Sequence, residues 1–581
     1  MKTPWGWVTT VRFAWVTLWV LLFGGPWIGL LAPFGARSPG VFGLALEILW
    51  ALFLTTFDSA LTDGDIGDSL RRVSWSLLPF LLLGLGWNWV PLGAFPVQDF
   101  PLRKVEIAWG ILWVAHLAWF ISLAVRTALG SQRRKVWVIF GAAGLLFFTG
   151  TALQTQRCDL TGDEPHYLLM AHSLWVDGDL ELSNNYRQND AQTFYGRGTL
   201  EPQGNEHVLA DGRRYSHHPL GPVLVFLPGF ILAGRLGASM TVVAVTCGTL
   251  AGLLAWLGSL GFKPRVVEQV GWIALFASPF LLYEGLLFPE MLTAGALVAL
   301  GWALKERKAY SAGTIIGLLL WIHNRNVLLV IPALGLLGWA WTRAKLSGTE
   351  ARRILGGGLT LALPLAWAFH ELYGVWTPLG AHHEGMGSLF PLDRFLVDFP
   401  GLLTDQEAGL WFYFPILALV PAGLALGWRR GSGLWRSASI VLLAYYGAMS
   451  FYENLGLQPA ARFLAPLTPL LLASLAPVLE VLEKSRKAWR VTALGLFGTT
   501  AGLNLSLAAV PWMRYNPLKG SSWVLQLGQA FTGYLLPQWA PSFHAVPIET
   551  RTYILGWGAL AAAALLTAWF VRDQRLRKPP R

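Results

Sequence analysis

Apolar stretches long enough to cross a lipid bilayer recur along almost the whole chain. A hydrocarbon core of about 30 Å requires about 20 apolar residues in a helix. The pattern predicts about 16 such helices. They lie near 13–33, 41–57, 75–95, 106–126, 136–153, 239–258, 267–284, 287–304, 309–321, 326–342, 355–373, 410–428, 437–452, 464–482, 491–511 and 551–571. The charged fraction is only 13%, about half that of a soluble domain, so the sequence predicts an all-α polytopic membrane protein.

The basic residues predict the orientation of these helices. The chain has 44 basic and 33 acidic residues, a net charge of +11. If the N-terminus is cytoplasmic, nearly every cluster of Lys and Arg between predicted spans falls on the cytoplasmic side, as the positive-inside rule requires. The pattern therefore predicts that both termini are cytoplasmic. Basic residues in the cytoplasmic loops of a membrane protein also explain the positive net charge. We therefore expect lipids and no nucleic acid as partners.

One apolar segment, residues 217–237, does not fit as a further span. If it crossed the membrane, every later basic cluster would face outward. We therefore expect an interfacial or re-entrant segment on the outer side. Its prolines Pro219, Pro222 and Pro228 favour a broken segment over a straight helix.

This arrangement leaves three long outer segments, 154–216, 374–409 and 512–550. Long connections in a compact protein usually carry function or form a small ordered unit. The chain has two cysteines, Cys158 and Cys247, and we expect no disulfide bond between them.

The most informative run is residues 161–167 in the first outer segment, which contains Asp163, Glu164 and Tyr167. One interpretation is structural: Asp163 caps a short helix with Pro165 in its first turn, and Thr161 forms a capping box with Glu164. The other is functional: the acidic pair faces a cavity at the membrane surface. A carboxylate there can take a proton from an attacking hydroxyl or amine, or hold a divalent cation beside a phosphate. Both interpretations remain open, because they are compatible.

Charged groups near a bilayer are costly and are therefore candidates for function. Arg462 lies at the outer end of a predicted span, where a guanidinium suits bidentate binding of phosphate, although a snorkelling anchor is the alternative. Glu290 opens a helix after Pro289 and either interacts with the helix dipole or faces the same cavity as Asp163.

Further candidates lie at other outer turns. His323 is in an outer turn. His217 and His218 lie where the chain re-enters the interface, and they either contact an anionic headgroup or form a solvated pair in the loop. Asp405 and Glu407 precede a predicted span and either order the loop or contact the acceptor. His382, His383 and Glu384 are consecutive, which is not a metal-ligand spacing on a helix, so they predict no specific metal site.

Four of these runs together carry a resemblance. They are the Asp163-Glu164 pair that opens an interfacial helix, residues 211–221 (DGRRYSHHPLG), residues 405–410 (DQEAGL) and residues 459–466 (PAARFLAP). In order and spacing they resemble the GT-C class of polytopic glycosyltransferases, which includes the protein O-mannosyltransferases and the lipid A aminoarabinose transferase (glycosyltransferase family 39-like). The resemblance covers roughly 136–511. It departs from the aminoarabinose transferase at His218-Pro219-Leu220, where that enzyme has Lys before a Pro-Pro-Leu run.

The resemblance implies a GT-C-type transmembrane bundle whose long outer loops carry interfacial helices. Residues 1–135 would be accessory helices. Residues 136–511 would form the catalytic core, with its outer loops at 154–237 and 374–409. Residues 512–581 would supply an outer segment, the last helix and a basic tail.

The implied reaction transfers a sugar from a polyprenyl-phosphate donor to a lipid, glycan or protein acceptor on the periplasmic or exterior side, with inversion. Asp163 would be the essential acid beside Glu164. Arg462, with His217 and His218, would bind the donor phosphate. A divalent metal ion held by Asp163 and Glu164 is left open. The alternative is a lipid or glycan transporter or flippase without transfer chemistry, which predicts functional charges near the bilayer midplane and internal symmetry.

Overall fold

A computed structural model of the chain describes most residues beyond position 131. These are 132–203, 206–209, 211–343, 345–376, 392–429, 433–451, 459–516, 520–545 and 548–576. The four predicted spans before residue 131 and the run His382, His383 and Glu384 lie outside the described residues. The chain divides into two compact units, Met1–Leu145 and Leu146–Arg581.

Most of the described residues are helical. The helices are α1 (Gln132–Arg157), α2 (Glu164–Val176), α3 (Ser183–Gln188), α4 (Leu220–Ser259), α5 (Pro264–Phe276), α6 (Pro279–Tyr283), α7 (Glu290–Lys305), α8 (Ala309–Ile322), α9 (Val327–Thr342), α10 (Gly348–Tyr373), α11 (Leu392–Thr404), α12 (Leu410–Tyr413), α13 (Val420–Trp428), α14 (Gly433–Met449), α15 (Thr468–Leu482), α16 (Lys487–Ala509), α17 (Trp523–Thr532) and α18 (Thr550–Leu576). Between α3 and α4, a short antiparallel hairpin pairs β1 (His207–Val208) with β2 (Arg214–Tyr215). The prediction of an all-α fold is confirmed.

Six helical segments of the described residues are long and apolar enough to cross a membrane, judged by length and composition. They are Leu220–Ser259, Pro264–Tyr283, Asn324–Thr342, Ala465–Leu482, Lys487–Ala509 and Thr550–Gln574. Two apolar helices, Ala309–Ile322 and Pro415–Trp428, are shorter. These segments are those of an integral membrane protein.

Every span predicted beyond residue 131 overlaps a helix, but two of them are not single helices. Residues 267–284 form α5 and α6, which are separated at Ala277 and Ser278 within one apolar segment. Residues 410–428 form α12, a 3₁₀ turn at Pro415–Leu419 and α13. The backbone leaves the helical region at Phe414, immediately before Pro415, as expected because proline disfavours helical conformation in the residue that precedes it. The outer segments also contain three helices that the hydrophobic pattern did not predict, α3, α11 and α17.

The segment 217–237 is broken, as expected, but not at its prolines. Pro219 is the N-cap of α4, and Pro228 lies inside the helix. The break is at Ala233 and Gly234, where Gly234 has φ +55° and ψ −141°. Glycine adopts this conformation without a Cβ clash, so the chain can change direction at Gly234. Proline inside a helix, by contrast, removes one backbone hydrogen bond. The two limbs of α4 then touch through Gly229 and Gly237.

The contact between the two limbs gives a stability prediction. In Gly229→Ala the new Cβ would overlap the carbonyl oxygen of Gly237, and backbone cannot move aside as a flexible side chain can. We expect a loss of about 1–3 kcal/mol in stability, measured as a lower Tm in detergent. Gly248→Ala in the second limb is the matched control, because a Cβ at that position would lie more than 4 Å from its neighbours among the described residues. Equal Tm values for the two variants would contradict the close contact.

Candidate functional site

Two arginines and two carboxylates from four separate parts of the chain meet in one buried cluster. Asp163 lies at the start of α2, Glu290 at the start of α7, Arg325 in the turn before α9, and Arg462 in the loop before α15. We call these four residues the ionic cluster. Its formal charges cancel, so each arginine is compensated by an acid and the cluster as a whole is neutral.

Arg462 is the centre of the ionic cluster. Its Nη2 pairs with Oδ2 of Asp163, and its Nε donates to Oε1 of Glu290 at 3.2 Å. The guanidinium lies 4.3 Å from the centroid of the Phe288 ring. Its side chain is only 5% exposed. The predicted phosphate-binding residue is therefore in direct contact with the predicted catalytic acid, 299 residues away in sequence.

Glu290 joins the two arginines. Its Oε1 accepts from Nε of Arg462 and from Nη2 of Arg325, the second at 3.0 Å. The guanidinium of Arg325 lies 4.5 Å from the centroid of the Phe463 ring. One carboxylate oxygen thus holds two guanidinium groups close together, an arrangement that mutual repulsion would otherwise oppose.

Asp163 combines both interpretations made from the sequence. It occupies the N-cap position of α2, with proline in the first turn, but its side chain makes no capping hydrogen bond. The carboxylate is directed to Arg462 instead. Burial alone would raise the pKa of Asp163, but the guanidinium of Arg462 outweighs burial and holds this pKa well below its usual range. Asp163 is therefore a paired carboxylate.

Glu164 has a different environment from its neighbour. Its Oε1 accepts from the backbone N–H of Leu287 at 3.0 Å, and its Oε2 accepts from the backbone N–H of Thr161 at 3.3 Å. The second bond is one half of the predicted capping box. Burial raises the pKa of Glu164. These contacts fasten the start of α2 to the turn before α7, so Glu164 orders the site.

Several buried polar atoms around the ionic cluster have no hydrogen-bond partner among the described residues. They are Oη of Tyr167, Nε2 of His218, Oε2 of Glu290 and Nε of Arg325. The hydroxyl of Tyr167 interacts electrostatically with all four members of the cluster. Buried polar groups are normally hydrogen-bonded, and leaving one unpaired costs about 1–3 kcal/mol. Their concentration around one cluster is typical of a site that receives a polar ligand.

The predicted histidines lie beside the cluster. The ring centroid of His218 is 4.9 Å from that of Tyr167 and 4.1 Å from that of His217. Nδ1 of His323 accepts from the backbone N–H of Arg325 at 3.0 Å, which orders the turn that carries this arginine. Burial, with the charges of Arg325 and Arg462, holds the pKa of His323 well below its usual range. Burial lowers the pKa of His218 as well, so both rings are neutral at physiological pH.

Asp405 and Glu407 are buried, and their contacts favour the loop-ordering role over contact with an acceptor. Oδ1 of Asp405 accepts from the backbone N–H of Glu407 and Ala408, and its Oδ2 accepts from Phe543 N–H at 2.7 Å. Oε2 of Glu407 accepts from the backbone N–H of Gly520. This loop joins residues from the segment 512–550 to the loop of Arg462, because Ala461 N–H donates to Ala408 O at 2.9 Å.

The contacts of Asp405 with three backbone N–H groups predict an effect on stability. In Asp405→Asn the amide cannot accept at both positions, so at least one buried backbone N–H loses its partner. We expect stability to fall by about 2–4 kcal/mol, read as a lower Tm. The exposed Asp211→Asn is the matched control. A variant as stable as this control would show that the three backbone bonds contribute little.

Backbone geometry fixes the position of Arg462. Ala461 has φ +57°, an uncommon conformation for a residue with a Cβ. The hydroxyl of Tyr283 donates to the carbonyl oxygens of Pro459 and Ala460 at 3.0 and 2.9 Å. These contacts hold the loop in the one conformation that aims the guanidinium at Asp163 and Glu290.

Two arginines with structural importance were not predicted as site residues. Arg325 lies in the same outer turn as His323. Like Arg462, it is an arginine on the side of the membrane that the positive-inside rule leaves poor in basic residues, and this signal could have identified it. Arg514 is completely buried and pairs with Glu284 at 3.5 Å, while its Nη1 donates to Oε1 of Gln154 at 2.6 Å. The ion pair with Glu284 fastens the segment after α16 to the turn after α6, and the hydrogen bond to Gln154 fastens the same segment to α1.

A divalent metal ion fits this donor set poorly. Both oxygens of Glu164 are engaged by backbone N–H groups, and Asp163 is paired with Arg462. Within the part of the chain that the structure describes, no group of three His, Cys, Asp or Glu side chains is arranged to hold a metal. Both cysteines are buried free thiols.

Comparison with known proteins finds similarity to solved structures only. No protein-family model matches the chain, and no curated protein matches it. A crystal structure of ArnT from Cupriavidus metallidurans in the apo state is 14% identical, with a TM-score of 0.40 over 65% of this chain and 75% of ArnT. The structure of the same protein bound to undecaprenyl phosphate is also 14% identical, with a TM-score of 0.42 over 76% of this chain and 77% of ArnT. At this identity the similarity assigns no role to any single residue here.

Proposed function

We propose that the protein is a membrane glycosyltransferase that moves a sugar from a polyprenyl-phosphate donor to an acceptor at the outer membrane surface. The observation that carries the proposal is the buried ionic cluster, in which Arg462 contacts both Asp163 and Glu290. Unpaired polar atoms of Tyr167 and His218 lie around it. A transferase of this kind needs a cation for the leaving phosphate and a carboxylate for the attacking group, and the cluster contains both.

The donor phosphate binds to Arg462 and Arg325. Guanidinium groups form paired, charge-assisted hydrogen bonds with phosphate oxygens, and these strengthen as negative charge builds on the leaving group. Glu290 holds the two arginines close together for this purpose. The unpaired Nε of Arg325 and Oη of Tyr167 supply further donors.

Asp163 aligns and deprotonates the acceptor hydroxyl or amine. Once the phosphate engages Arg462, the pairing that holds the pKa of Asp163 low is weakened, and the carboxylate becomes a better base. The acceptor atom attacks the anomeric carbon as the bond to the phosphate oxygen breaks, and the electron pair leaves with polyprenyl phosphate. Attack opposite the leaving group inverts the anomeric centre.

The orientation follows from the charge pattern: the site faces the periplasm or cell exterior, and both termini are cytoplasmic. The donor enters sideways from the outer leaflet, as a polyprenyl chain requires. The acceptor is a lipid, a glycan or a protein that reaches the same surface.

The test uses purified protein in lipid bilayers with a panel of polyprenyl-phosphate hexoses and pentoses. A membrane extract supplies acceptors, and release of polyprenyl phosphate is measured. We expect release with one class of donor and none when the acceptor extract is omitted. Translocation of a fluorescent polyprenyl-phosphate sugar across the bilayer without any release would contradict the proposal and favour the transporter alternative.

A further inference from the structure

A second polar network begins on α2 three residues after Asp163 and contains none of the residues assigned above. Nδ1 of His166 lies 2.9 Å from Oη of Tyr186, and the Tyr186 hydroxyl donates to Oε1 of Glu206. Oε2 of Glu206 accepts from Nη1 of Arg214 at 3.3 Å. The network thus runs from α2 through α3 to the residues around the β-hairpin. We call the first three residues, His166, Tyr186 and Glu206, the relay.

The relay leads from the buried site toward the outer surface. The side chains of His166 and Glu206 are 5% and 1% exposed, whereas that of Arg214 is 30% exposed. Burial raises the pKa of Glu206, and Tyr186 and Arg214 oppose this by hydrogen bonding. Glu206 is therefore a carboxylate that can accept a proton more readily than a solvated one.

The direction of the hydrogen bonds fixes the tautomer of His166. A phenol has one proton, and Tyr186 gives that proton to Glu206. The Tyr186 oxygen must then accept from an N–H at Nδ1 of His166, so the lone pair of this imidazole is on Nε2. Burial also lowers the pKa of His166 to about 4, so the ring is neutral at physiological pH.

His166 lies on the same face of α2 as Asp163. Side chains three and four positions apart are neighbours on a helix, and His166 and Tyr167 stand in this relation to Asp163. The backbone N–H of His166 donates to the carbonyl oxygen of Asp163 at 3.1 Å. The ring of His218 lies over both, with centroids 5.8 Å from His166 and 4.9 Å from Tyr167.

Asp163 needs such a neighbour in every catalytic cycle. A base that has taken a proton from the acceptor must lose it before the next transfer. Arg462 favours the ionised form of Asp163, so the proton leaves readily once a base is near. The charge of Asp163 acts on His166 and raises the pKa of this imidazole against the effect of burial.

We infer that the relay removes the proton from Asp163 after each transfer; this rests on the proposed function. The proton passes from the Asp163 carboxyl to Nε2 of His166. The Nδ1 proton of His166 passes to Oη of Tyr186, and the phenolic proton passes to Oε1 of Glu206. Asp163 becomes ionised and Glu206 neutral, so charge and protons balance. Glu206 then gives its proton to water beside Arg214, and the relay is reset when His166 returns to the Nδ1–H tautomer and the Tyr186 hydroxyl again donates to Glu206.

The charged and titratable groups around His166 come from every element packed against it. Asp163 lies on α2 itself, Tyr186 on α3, and Glu206 before β1. His217 and His218 precede α4. The pH dependence of activity in variants of the relay must therefore be interpreted with all of these groups in mind.

The kinetic test compares His166→Gln, Tyr186→Phe and Glu206→Gln in the full-length protein in bilayers. His172→Gln and Tyr195→Phe are matched controls, because they change the same residue types in α2 and the first outer segment outside the relay. We expect kcat to fall about 100-fold in His166→Gln and about 10-fold in Tyr186→Phe and Glu206→Gln, with the donor KM unchanged. Added imidazole should restore part of the activity of His166→Gly, which a purely structural role would not allow.

An active wild type with all three relay variants as fast as the controls would overturn this inference and leave the proposed function intact. A wild type that releases nothing from any donor would instead overturn the proposed function. A readout independent of turnover is the ¹⁵N NMR spectrum of histidine-labelled protein, with the His166 signals identified by their loss in His166→Gln. We expect the Nδ1–H tautomer in the wild type and its loss in Tyr186→Phe; an Nε2–H tautomer in the wild type would overturn the relay.

Discussion

Asp163→Asn should release polyprenyl phosphate about 1000-fold more slowly than the wild type, because a positioned general base contributes roughly 10²- to 10⁴-fold to such a reaction. Asparagine keeps the size of the side chain and an oxygen that can still accept from Arg462, so the chain should fold. The loss should appear in kcat, with donor KM changed less, because the phosphate is bound by the arginines.

Asp159→Asn is the matched control for this substitution. Asp159 lies four residues earlier, is 46% exposed and pairs with Arg197 at the surface. We expect it to leave the rate unchanged. If Asp163→Asn were as active as Asp159→Asn, Asp163 would not be the base, even in a working transferase.

The Asp163→Asn variant also predicts how the stability of the protein depends on pH. The folded pKa of Asp163 lies below its unfolded value of about 4, so its pairing with Arg462 contributes stability above the unfolded pKa. This contribution is lost only as pH falls through the folded pKa. The difference in Tm between wild type and Asp163→Asn should therefore be constant from about pH 5 to 8 and shrink only below about pH 4. A difference that disappears near pH 6 would contradict the pairing.

Arg462→Met should have the largest combined effect on activity and stability. The substitution leaves Glu290 to Arg325 alone and leaves Asp163 with no cation, and removing one partner of a buried ion pair costs about 3–5 kcal/mol. Loss of a group that stabilises the leaving phosphate should also reduce kcat/KM about 100- to 1000-fold. Tm and polyprenyl phosphate release measure the two effects separately.

The double variant Asp163→Asn/Arg462→Met distinguishes the effect of charge balance on stability from the effect of the two side chains on catalysis. It removes one acid and one base together, so the remaining Glu290–Arg325 pair is balanced. We expect Tm to return part of the way to the wild-type value while release stays at the level of the single variants. A double variant less stable than Arg462→Met would show that the two side chains do not stabilise the protein through each other.

Local patterns in the sequence predicted the helices well, because a run of apolar residues near 20 specifies a spanning helix with little help from the rest of the chain. The break at Gly234 was predicted in the right segment for the wrong residues, since a conformation at positive φ is a property of the folded chain. The amphipathic helix α17 lies outside any long apolar run, so hydropathy alone did not predict it.

The sequence predicted the residues of the site better than it predicted the contacts between them. Asp163, Glu290 and Arg462 were each proposed from a local argument, but nothing in the sequence pairs residues 299 positions apart. For Glu164 and Asp405 the sequence left open two roles, and only the backbone N–H groups that approach them favour one. The relay was not predicted because Tyr186 and Glu206 have meaning only once α3 packs beside α2.

The neutrality of the ionic cluster has a consequence for which anions the site accepts. Chloride or inorganic phosphate that reaches the ionic cluster meets arginines whose charge is already cancelled, so entry requires exchange with a carboxylate. A small anion makes few other favourable contacts that would compensate for breaking an arginine–carboxylate pair. A polyprenyl phosphate is held in the bilayer by its hydrocarbon chain, at about 0.8 kcal/mol per methylene, so its phosphate is already concentrated at the membrane. Under the proposed function, ion exchange at the arginines and anchoring in lipid would together favour anions that carry a lipid.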